Sequence, residues 1–263
     1  MKIKIKVVDA FTNVRFKGNP AAVVISGKWL SDEKMQEIAA ENNLSETAFL
    51  VEDDNGVFGI RWFSPITEID FCGHATLASA FVIFSENYQL PYISLFAKSV
   101  GTMKVVKKDD GFIQMDFPNR MPHSVIDVPE ALLQGLSIKP KSILKNNQAY
   151  FAVYSDEDDV LRVIQDSEQL KSLAPYDVVV TAPGTQFDFV SRYFWPANGG
   201  DEDPVTGSIH TGLAPYWAKV FGRSKLMAYQ ASKRGGTLKC EVAGDRVLIS
   251  GQAVSYLEGY INI

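Results

Sequence analysis

The sequence RWFSP at residues 61–65 returns as RYFWP at residues 192–196, and both copies have the pattern Arg-aromatic-Phe-x-Pro. Arg192 follows Arg61 by 131 residues, which is almost half of the 263-residue chain. Aromatic strands that end at proline are common, so a chance match is the alternative interpretation. The same strand-loop-helix order after each copy favours a duplication, which predicts two domains of similar topology.

The segment after each copy carries an acidic residue, a glycine and a largely apolar run. These segments are DFCGHATLASAF at 70–81 and DPVTGSIHTGLA at 203–214. They predict helices over about 74–84 and 208–220. A helix that is apolar on all sides is buried on all sides, so strands must surround it. The sequence therefore predicts an α/β (α+β) fold of two pseudo-symmetric domains, each a curved sheet or barrel around a central apolar helix.

A domain boundary is predicted near residues 118–123, where two prolines and polar neighbours are typical of a linker. We assign residues 1–118 to an N-terminal domain and residues 124–250 to a C-terminal domain. Residues 252–263 are a candidate strand that completes the N-terminal domain. Ligands favour clefts between domains, so we expect the active site in the cleft between these two.

Local patterns predict the other elements. Ser31 is a good N-cap for a helix at 32–42. Two longer stretches are each predicted as a single element, a strand over 101–117 and a helix near 156–171. The variable loops expected to form the substrate walls are 85–100 and 181–190.

Composition excludes several classes of protein. Lys and Arg number 26 and Asp and Glu number 31, so the formal net charge is −5, which supplies no general attraction to nucleic acid or to an anionic membrane. The N-terminal residues lack the apolar core of a signal peptide, and no apolar run approaches the roughly 20 residues of a membrane span. With two cysteines and no secretion signal, we predict a cytoplasmic protein with reduced thiols.

Glu46 is the first candidate for chemistry. It stands between a predicted helix end and the apolar sequence AFLV at 48–51. The default interpretation of a lone glutamate is an exposed or capping carboxylate. If the apolar strand partly desolvates the side chain, its charged form is disfavoured and it suits proton transfer near neutral pH.

The two predicted helix starts are candidate anion sites. Gly73 opens the first and Gly207 the second, and glycine lets a ligand approach the free N–H groups at the positive end of a helix. His74 could polarise a carboxylate or shuttle a proton, with a capping histidine as the alternative. Asp203 and Ser208 flank the predicted helix start at Gly207. They could belong to a second anion site, or to an acidic loop that caps the helix.

Several chemistries lack their signatures. No GxGxxG follows a strand, and no P-loop occurs. Cys72 and His74 are close in sequence, but no second pair at metal-ligand spacing accompanies them. Ser208 and His210 lack the GxSxG elbow of serine hydrolases. The sequence therefore carries no signature of a nucleotide cofactor, and a zinc site would need ligands assembled from scattered residues.

Short motifs along the chain resemble those of the PhzF-like family, the phenazine-biosynthesis isomerases and their relatives. The motifs are VDAFT at 8–12, GNPAAV at 18–23, SETAF at 45–49, CGHAT at 72–76 and EDPVTGS at 202–208. The resemblance covers essentially the whole chain. It implies a fold similar to diaminopimelate epimerase, with the site between two similar domains.

The resemblance also implies roles for individual residues. It makes Glu46 the proton-shuttling carboxylate and places His74 and Asp203 beside it as catalytic residues. The substrate-binding positions that it implies are Asn19, Gly73, Gly207 and Ser208. Family members work without cofactor or metal and are commonly homodimers, so we expect a homodimer that acts on a small carboxylate-bearing substrate.

One feature departs from the epimerase relatives, which place a cysteine on each side of the stereocentre. Cys72 occupies one such position, but the sequence TGS at 206–208 occupies the other helix start. A carboxylate mechanism through Glu46 therefore fits better, and we predict a cofactor-independent isomerase or epimerase. The alternatives are a non-catalytic small-molecule-binding protein with the same fold and a Cys72-dependent racemase.

Overall fold

The computed structural model of the chain describes residues 2–263 and contains two compact units. The first unit comprises the described residues up to Asp116 together with Ser250–Ile263. The second unit is Phe117–Ile249. No helix within residues 2–263 combines the length and the apolar character that crossing a membrane requires.

Strands dominate both units. The elements up to the end of the eighth strand are β1 (Lys2–Ala10), β2 (Asn19–Ile25), α1 (Asp32–Asn42), β3 (Glu46–Glu52), β4 (Val57–Phe63), β5 (Glu68–Ile69), α2 (Gly73–Glu86), β6 (Tyr92–Ala97), β7 (Gly101–Lys107) and β8 (Ile113–Pro118). The elements that follow are β9 (His123–Ser124), α3 (Glu130–Gln134), β10 (Ser142–Lys145), β11 (Ala149–Val153), α4 (Glu157–Arg162), α5 (Ser167–Lys171), β12 (Asp177–Pro183), β13 (Phe189–Trp195), β14 (Gly200–Asp203), α6 (His210–Phe221), β15 (Lys225–Gln230), β16 (Gly236–Ala243), β17 (Arg246–Gly251) and β18 (Ala253–Asn262).

In the first unit, β1 pairs antiparallel with both β2 and β18, so the two ends of the chain lie in one sheet. Next to β2 runs β3, parallel to it, with Glu46 opposite Ala21. β4 is antiparallel to β3 and to β5 and parallel to β6, and β6, β7 and β8 continue as an antiparallel meander.

Helix α2 is enclosed by this sheet. Within residues 73–84, every residue except Phe81 is buried, and the helix packs against β1, β2, β3 and β18. The hydroxyl groups of Thr76 and Ser79 donate to carbonyl oxygens one turn earlier, at 2.6 and 2.7 Å, so their burial leaves no donor unpaired. The prediction of a central helix buried on nearly all sides is confirmed.

The second unit repeats the pairing pattern of the first. β10 and β11 are antiparallel, β11 and β12 parallel, and β12 and β13 antiparallel; β13 is also antiparallel to β14 and parallel to β15, which pairs antiparallel with β16. Arg61 of β4 lies opposite Phe49, and Arg192 of β13 lies opposite Val180. The two arginines thus occupy the same register position, which confirms the predicted pseudo-symmetry.

Each arginine also uses two of its guanidinium nitrogens to bind one carboxylate group. Nε and Nη2 of Arg61 each lie 2.6 Å from Glu68, and the same atoms of Arg192 lie 2.8 and 3.0 Å from Glu202. Arg192 in addition donates from Nη1 to the carbonyl oxygen of Val163 at 2.8 Å. These bidentate ion pairs join β4 to β5 and β13 to β14, and in each case the short second strand precedes the buried helix.

Helix α1 forms over the predicted residues 32–42. The Ser31 hydroxyl accepts from the N–H of Lys34, and Met35 and Ile38 lie on its buried face. The helix ends where the next residue adopts a left-handed conformation.

Two predicted elements are wrong because a turn interrupts each of them. The strand predicted over 101–117 is a hairpin of β7 and β8, in which Gly111 takes a φ of 79°. The helix predicted near 156–171 is divided into α4 and α5. Asp166 starts α5, since its carboxylate accepts from the N–H groups of the two residues after Ser167.

Two stretches predicted as loops contain strands. β6 lies within 85–100, and β14 lies within the acidic stretch 199–208. The predicted loop 181–190 includes the end of β12 and the start of β13. Short strands of this kind show little hydrophobic periodicity in the sequence, and whether they form depends on pairing with neighbouring strands of the sheet.

Helix α6 is the buried helix of the second unit, but it begins at His210, two residues later than predicted. A turn over residues 207–209 leads into it, so Ser208 precedes the helix. Its buried face includes Trp217, whose indole N–H donates to the hydroxyl of Thr181 at 3.0 Å.

Candidate active site

Glu46 is the first residue of β3, and only 7% of its surface is exposed. The left-handed residue Asn43 ends α1 and directs the chain into the sheet. The residues that follow Glu46 are buried through Leu50, as the apolar sequence predicts. The interpretation of Glu46 as an exposed loop carboxylate is therefore wrong.

His74 lies in the first turn of α2, and both of its ring nitrogens have polar neighbours. Nε2 is 2.9 Å from Oε2 of Glu46, while Nδ1 is 3.1 Å from Nδ2 of Asn19 and 3.4 Å from Sγ of Cys72. The contact with Glu46 is a charge contact, because no partner aligned for a hydrogen bond reaches that oxygen within residues 2–263. Asn19 is itself held by the Ser45 hydroxyl, which donates to Oδ1 at 3.4 Å.

The surroundings of His74 favour its charged form. Burial opposes the charge, but the neighbouring Glu46 carboxylate favours it, and the pKa of His74 is held well above its ordinary value of 6.5. In the neutral form, donation from Asn19 to Nδ1 leaves the ring proton on Nε2, which faces Glu46. His74 is therefore part of a buried ion pair rather than a simple helix cap.

Cys72 remains a thiol at neutral pH. Burial raises its pKa to about 11, and the charge of Glu46 acts in the same direction. A thiol is a poor base and a poor nucleophile compared with a thiolate. These surroundings disfavour a mechanism in which Cys72 abstracts a proton.

Glu46, Cys72 and His74 also form a group whose candidate ligand atoms lie within 4.8 Å of one another. A metal ion would require a thiolate and a neutral imidazole. Here the raised pKa values keep the proton on Cys72 and favour the charged form of His74. Binding of a metal ion to this group would therefore be accompanied by the release of protons.

In the second unit, Asp203 is held in a compact polar cluster. Its carboxylate accepts from the Thr206 hydroxyl, and its carbonyl oxygen accepts from Nε2 of the fully buried Gln230 at 2.9 Å. Oε1 of Gln230 accepts in turn from the N–H of Thr206 at 2.8 Å. These bonds connect the segment between β14 and α6 to Gln230 at the end of β15.

Ser208 belongs to a chain of hydrogen-bonded side chains that the sequence analysis missed. Nε2 of Gln148 donates to Oγ of Ser208 at 2.9 Å and to the hydroxyl oxygen of Tyr193 at 3.0 Å. The Tyr193 hydroxyl donates to Oδ2 of Asp177 at 2.5 Å, and Asn198 donates to Oδ1 of Asp177 at 2.8 Å. Tyr193 and Asp177 are buried, Gln148 and Ser208 are partly buried, and Asn198 is exposed.

One signal in the sequence could have found this network. Asp177 opens β12 as Glu46 opens β3, and it follows Glu46 by the same 131 residues that separate the two arginines. A repeat search that included single carboxylates would have paired them.

The predicted site residues are divided between the two units. The first unit brings together Asn19, Glu46, Gly73 and His74. The second unit contains Asp203, Gly207 and Ser208. The catalytic and substrate-binding roles assigned to them remain predictions.

Comparisons with known proteins agree with the resemblance found in the sequence. The family model of phenazine biosynthesis-like proteins (PhzC-PhzF) matches residues 8–259. An uncharacterized isomerase of Pseudomonas aeruginosa is 45% identical over 263 residues, which covers 100% of each chain.

Solved structures confirm the predicted fold class. A PhzF-family phenazine biosynthesis protein from Enterococcus faecalis matches 100% of both chains with a TM-score of 0.94 and 41% identity. A predicted epimerase from Pseudomonas aeruginosa shares the fold at a TM-score of 0.78 and 20% identity, over 98% of this chain and 99% of that one. The fold is thus that of epimerase-like proteins. Within that class, the chain belongs to the phenazine biosynthesis-like (PhzF) family.

Proposed function

We propose that this protein is a cofactor-independent isomerase that moves a proton on a small carboxylate-bearing substrate, with Glu46 as the acid/base residue. The isomerase class rests on the relative named as an isomerase, which matches the chain over its whole length. The observation that carries the mechanism is the buried contact of 2.9 Å between Glu46 and His74.

The ion pair explains how a carbanion could form in a buried site. At rest, the charge of His74 is balanced by the Glu46 carboxylate. When Glu46 takes a proton from an acidic C–H group, it becomes neutral and the negative charge moves to the substrate. His74 then stabilises that charge, so the net charge of the site does not change. Return of the proton to another carbon of a conjugated system, or to the opposite face, completes the isomerisation.

The substrate carboxylate is assigned to the helix starts. Gly73 opens α2 without a side chain that would block its first N–H groups. In the second unit, Gly207 and Ser208 form the turn before α6. Asp203, whose carboxylate is held by Thr206, is the second acid/base or orienting group in this proposal.

Neither alternative function gains support. A non-catalytic binding protein would be favoured by an exposed Glu46, and Glu46 is buried. A Cys72-dependent racemase needs a thiolate, and burial raises the pKa of Cys72 to about 11.

The proposal includes a homodimer in the cytoplasm. The dimer rests on the family resemblance, and the location is supported by two cysteines that are both free and buried. Light scattering after gel filtration tests the dimer. Twice the chain mass of 29.1 kDa is expected, and a mass equal to that of one chain contradicts it.

Deuterium incorporation tests the function. We would incubate a panel of small carboxylic acids with the enzyme in heavy water and follow deuterium in each acid by mass spectrometry. The wild-type protein should label at least one acid. Glu46→Gln keeps the shape of the side chain but accepts no proton, so the rate should fall by roughly 10²–10⁴-fold.

Glu52→Gln is the matched control, because Glu52 is the exposed residue at the other end of β3. This variant should label the substrate at the wild-type rate. Equal rates in the wild type and Glu46→Gln would overturn the mechanism, and a panel that the wild type leaves unlabelled would overturn the function.

A further inference from the structure

Ser208 accepts a hydrogen bond while its own hydroxyl proton remains available. Nε2 of Gln148 donates to Oγ of Ser208 at 2.9 Å. Within residues 2–263, no carbonyl or side-chain oxygen accepts the Ser208 proton in return. An amide nitrogen only donates, so the Ser208 proton must point away from Gln148.

Tyr193 keeps Gln148 in this orientation. The single hydroxyl proton of Tyr193 goes to Asp177 at 2.5 Å, so the Tyr193 oxygen acts as an acceptor toward Gln148. If the Gln148 amide were flipped, its Oε1 would face the Tyr193 oxygen, and neither atom would have a proton to donate to the other. Burial and the neighbouring Asp177 hold the pKa of Tyr193 well above its ordinary value, so Tyr193 retains the proton that it donates.

The orientation of Gln148 has an energetic cost. Its Oε1 is buried and has no hydrogen-bond partner within the described chain. An unpaired buried acceptor is unfavourable. The amide retains this orientation because both of its N–H groups are used, one by Tyr193 and one by Ser208.

We propose that Gln148 is a positioning residue, held by Tyr193 and Asp177, that turns the hydroxyl proton of Ser208 away from Gln148 and toward a carboxylate oxygen of the substrate. This inference rests on the proposed function, which assigns the substrate carboxylate to the turn before α6. A carboxylate oxygen only accepts hydrogen bonds, so it matches a hydroxyl group whose proton is oriented toward it.

Formate, the simplest carboxylate, is the probe for this inference. We would titrate it into isotope-labelled protein and follow the Ser208 backbone and Gln148 side-chain amide signals by NMR. Saturable shifts of both signals are expected. Ser208→Ala and Gln148→Met should each weaken formate binding about tenfold, the effect of one charge-assisted hydrogen bond.

The double variant separates positioning from a merely structural role. If Gln148 acts through Ser208, Ser208→Ala with Gln148→Met should bind formate no more weakly than Ser208→Ala alone. Gln165→Met is the matched control, because Gln165 is another glutamine of the second unit with a buried, unpartnered amide oxygen. It should bind formate as the wild type does.

The outcomes also distinguish this inference from the proposed function. Glu46→Gln should bind formate normally while losing deuterium incorporation. Suppose that the wild type incorporates deuterium but Gln148→Met binds formate as tightly as the wild type does; this result would overturn the inference alone. The inference would also be overturned if the losses of formate affinity in the two single variants multiplied in the double variant, or if formate did not shift the Ser208 signal. A Gln148-dependent formate site in a protein that labels no acid would overturn the function alone.

Discussion

Oε2 of Glu46 lies 2.9 Å from Nε2 of His74, and both side chains are more than nine-tenths buried. Glu46 opens a strand and His74 stands in the first turn of a helix, so two rigid elements determine their separation. A buried pair of opposite charge is costly to break, because the remaining charge loses its partner. This contact therefore has consequences for stability as well as for the proposed chemistry.

Replacing His74 by Gln should change how stability depends on pH. The folded-state pKa of His74 is raised above the unfolded value of about 6.5, so its contribution is fully present below about pH 6.5 and is lost as pH rises through the folded pKa. The difference in unfolding free energy between the wild type and His74→Gln should thus be largest at low pH and narrow as pH rises.

Urea unfolding at a series of pH values measures that difference. His123→Gln, which alters an exposed histidine, is the control. A difference that stays constant, or grows with pH, would show that His74 is not held in its charged form.

Cys72 should react slowly with alkylating reagents in the folded protein. Its pKa of about 11 leaves far less thiolate at pH 7 than an ordinary cysteine has, and burial adds a barrier to access. We expect iodoacetamide to modify Cys72 at least about 100-fold more slowly than in the urea-unfolded chain, as measured by mass spectrometry.

The companion variant Cys72→Ala should retain deuterium incorporation to within about tenfold, because the proposed base is a carboxylate. Rapid modification of Cys72 in the folded enzyme, accompanied by loss of incorporation, would restore the racemase alternative.

Gly251→Ala should destabilise the first unit. A Cβ atom at Gly251 would overlap Cδ1 of Phe11 and lie 2.8 Å from Cδ2 of Leu77, and both side chains are fully buried. Overpacking of this kind should lower the unfolding free energy by about 1–3 kcal/mol.

Gly27→Ala is the matched substitution, since a Cβ atom there meets no atom within 4 Å. It should change the unfolding free energy by no more than about 1 kcal/mol. Thermal or urea denaturation of the two variants measures the contrast, and equal effects would contradict the packing around Gly251.

Arg192→Lys should cost more stability than Arg61→Lys, although both arginines occupy the same register. Arg192 binds Glu202 and also donates to backbone carbonyl oxygens, including that of Val163 at 2.8 Å. Lysine lacks the planar group that makes these bonds together. We expect losses of about 1–3 kcal/mol for Arg192→Lys.

The remaining nitrogen of Arg61, Nη1, binds the exposed Asp32, so Arg61→Lys should cost less than about 1 kcal/mol. Urea denaturation of both variants provides the comparison. A larger effect at Arg61 would show that the carbonyl contacts of Arg192 contribute little.

The amino-acid sequence by itself determined the elements whose signals are local. The run of apolar and small residues from Ala75 to Phe84 predicted α2, because a helix without a charged face must be enclosed. The two arginine motifs predicted the repeated pairing pattern, since a duplicated sequence retains its strand register. The apolar residues after Glu46 favoured a partly desolvated carboxylate over an exposed one, and the side chain is buried.

Only the tertiary structure decided which polar side chains meet. Gln148 and Ser208 are 60 residues apart, and Tyr193 and Asp177 reach them from two neighbouring strands. In the same way, the charge of His74 depends on Glu46, which lies 28 residues earlier in the chain. Periodicity reports which face of an element is buried, whereas hydrogen bonds and pKa values depend on distances of a few ångströms between elements, which only the packed fold determines.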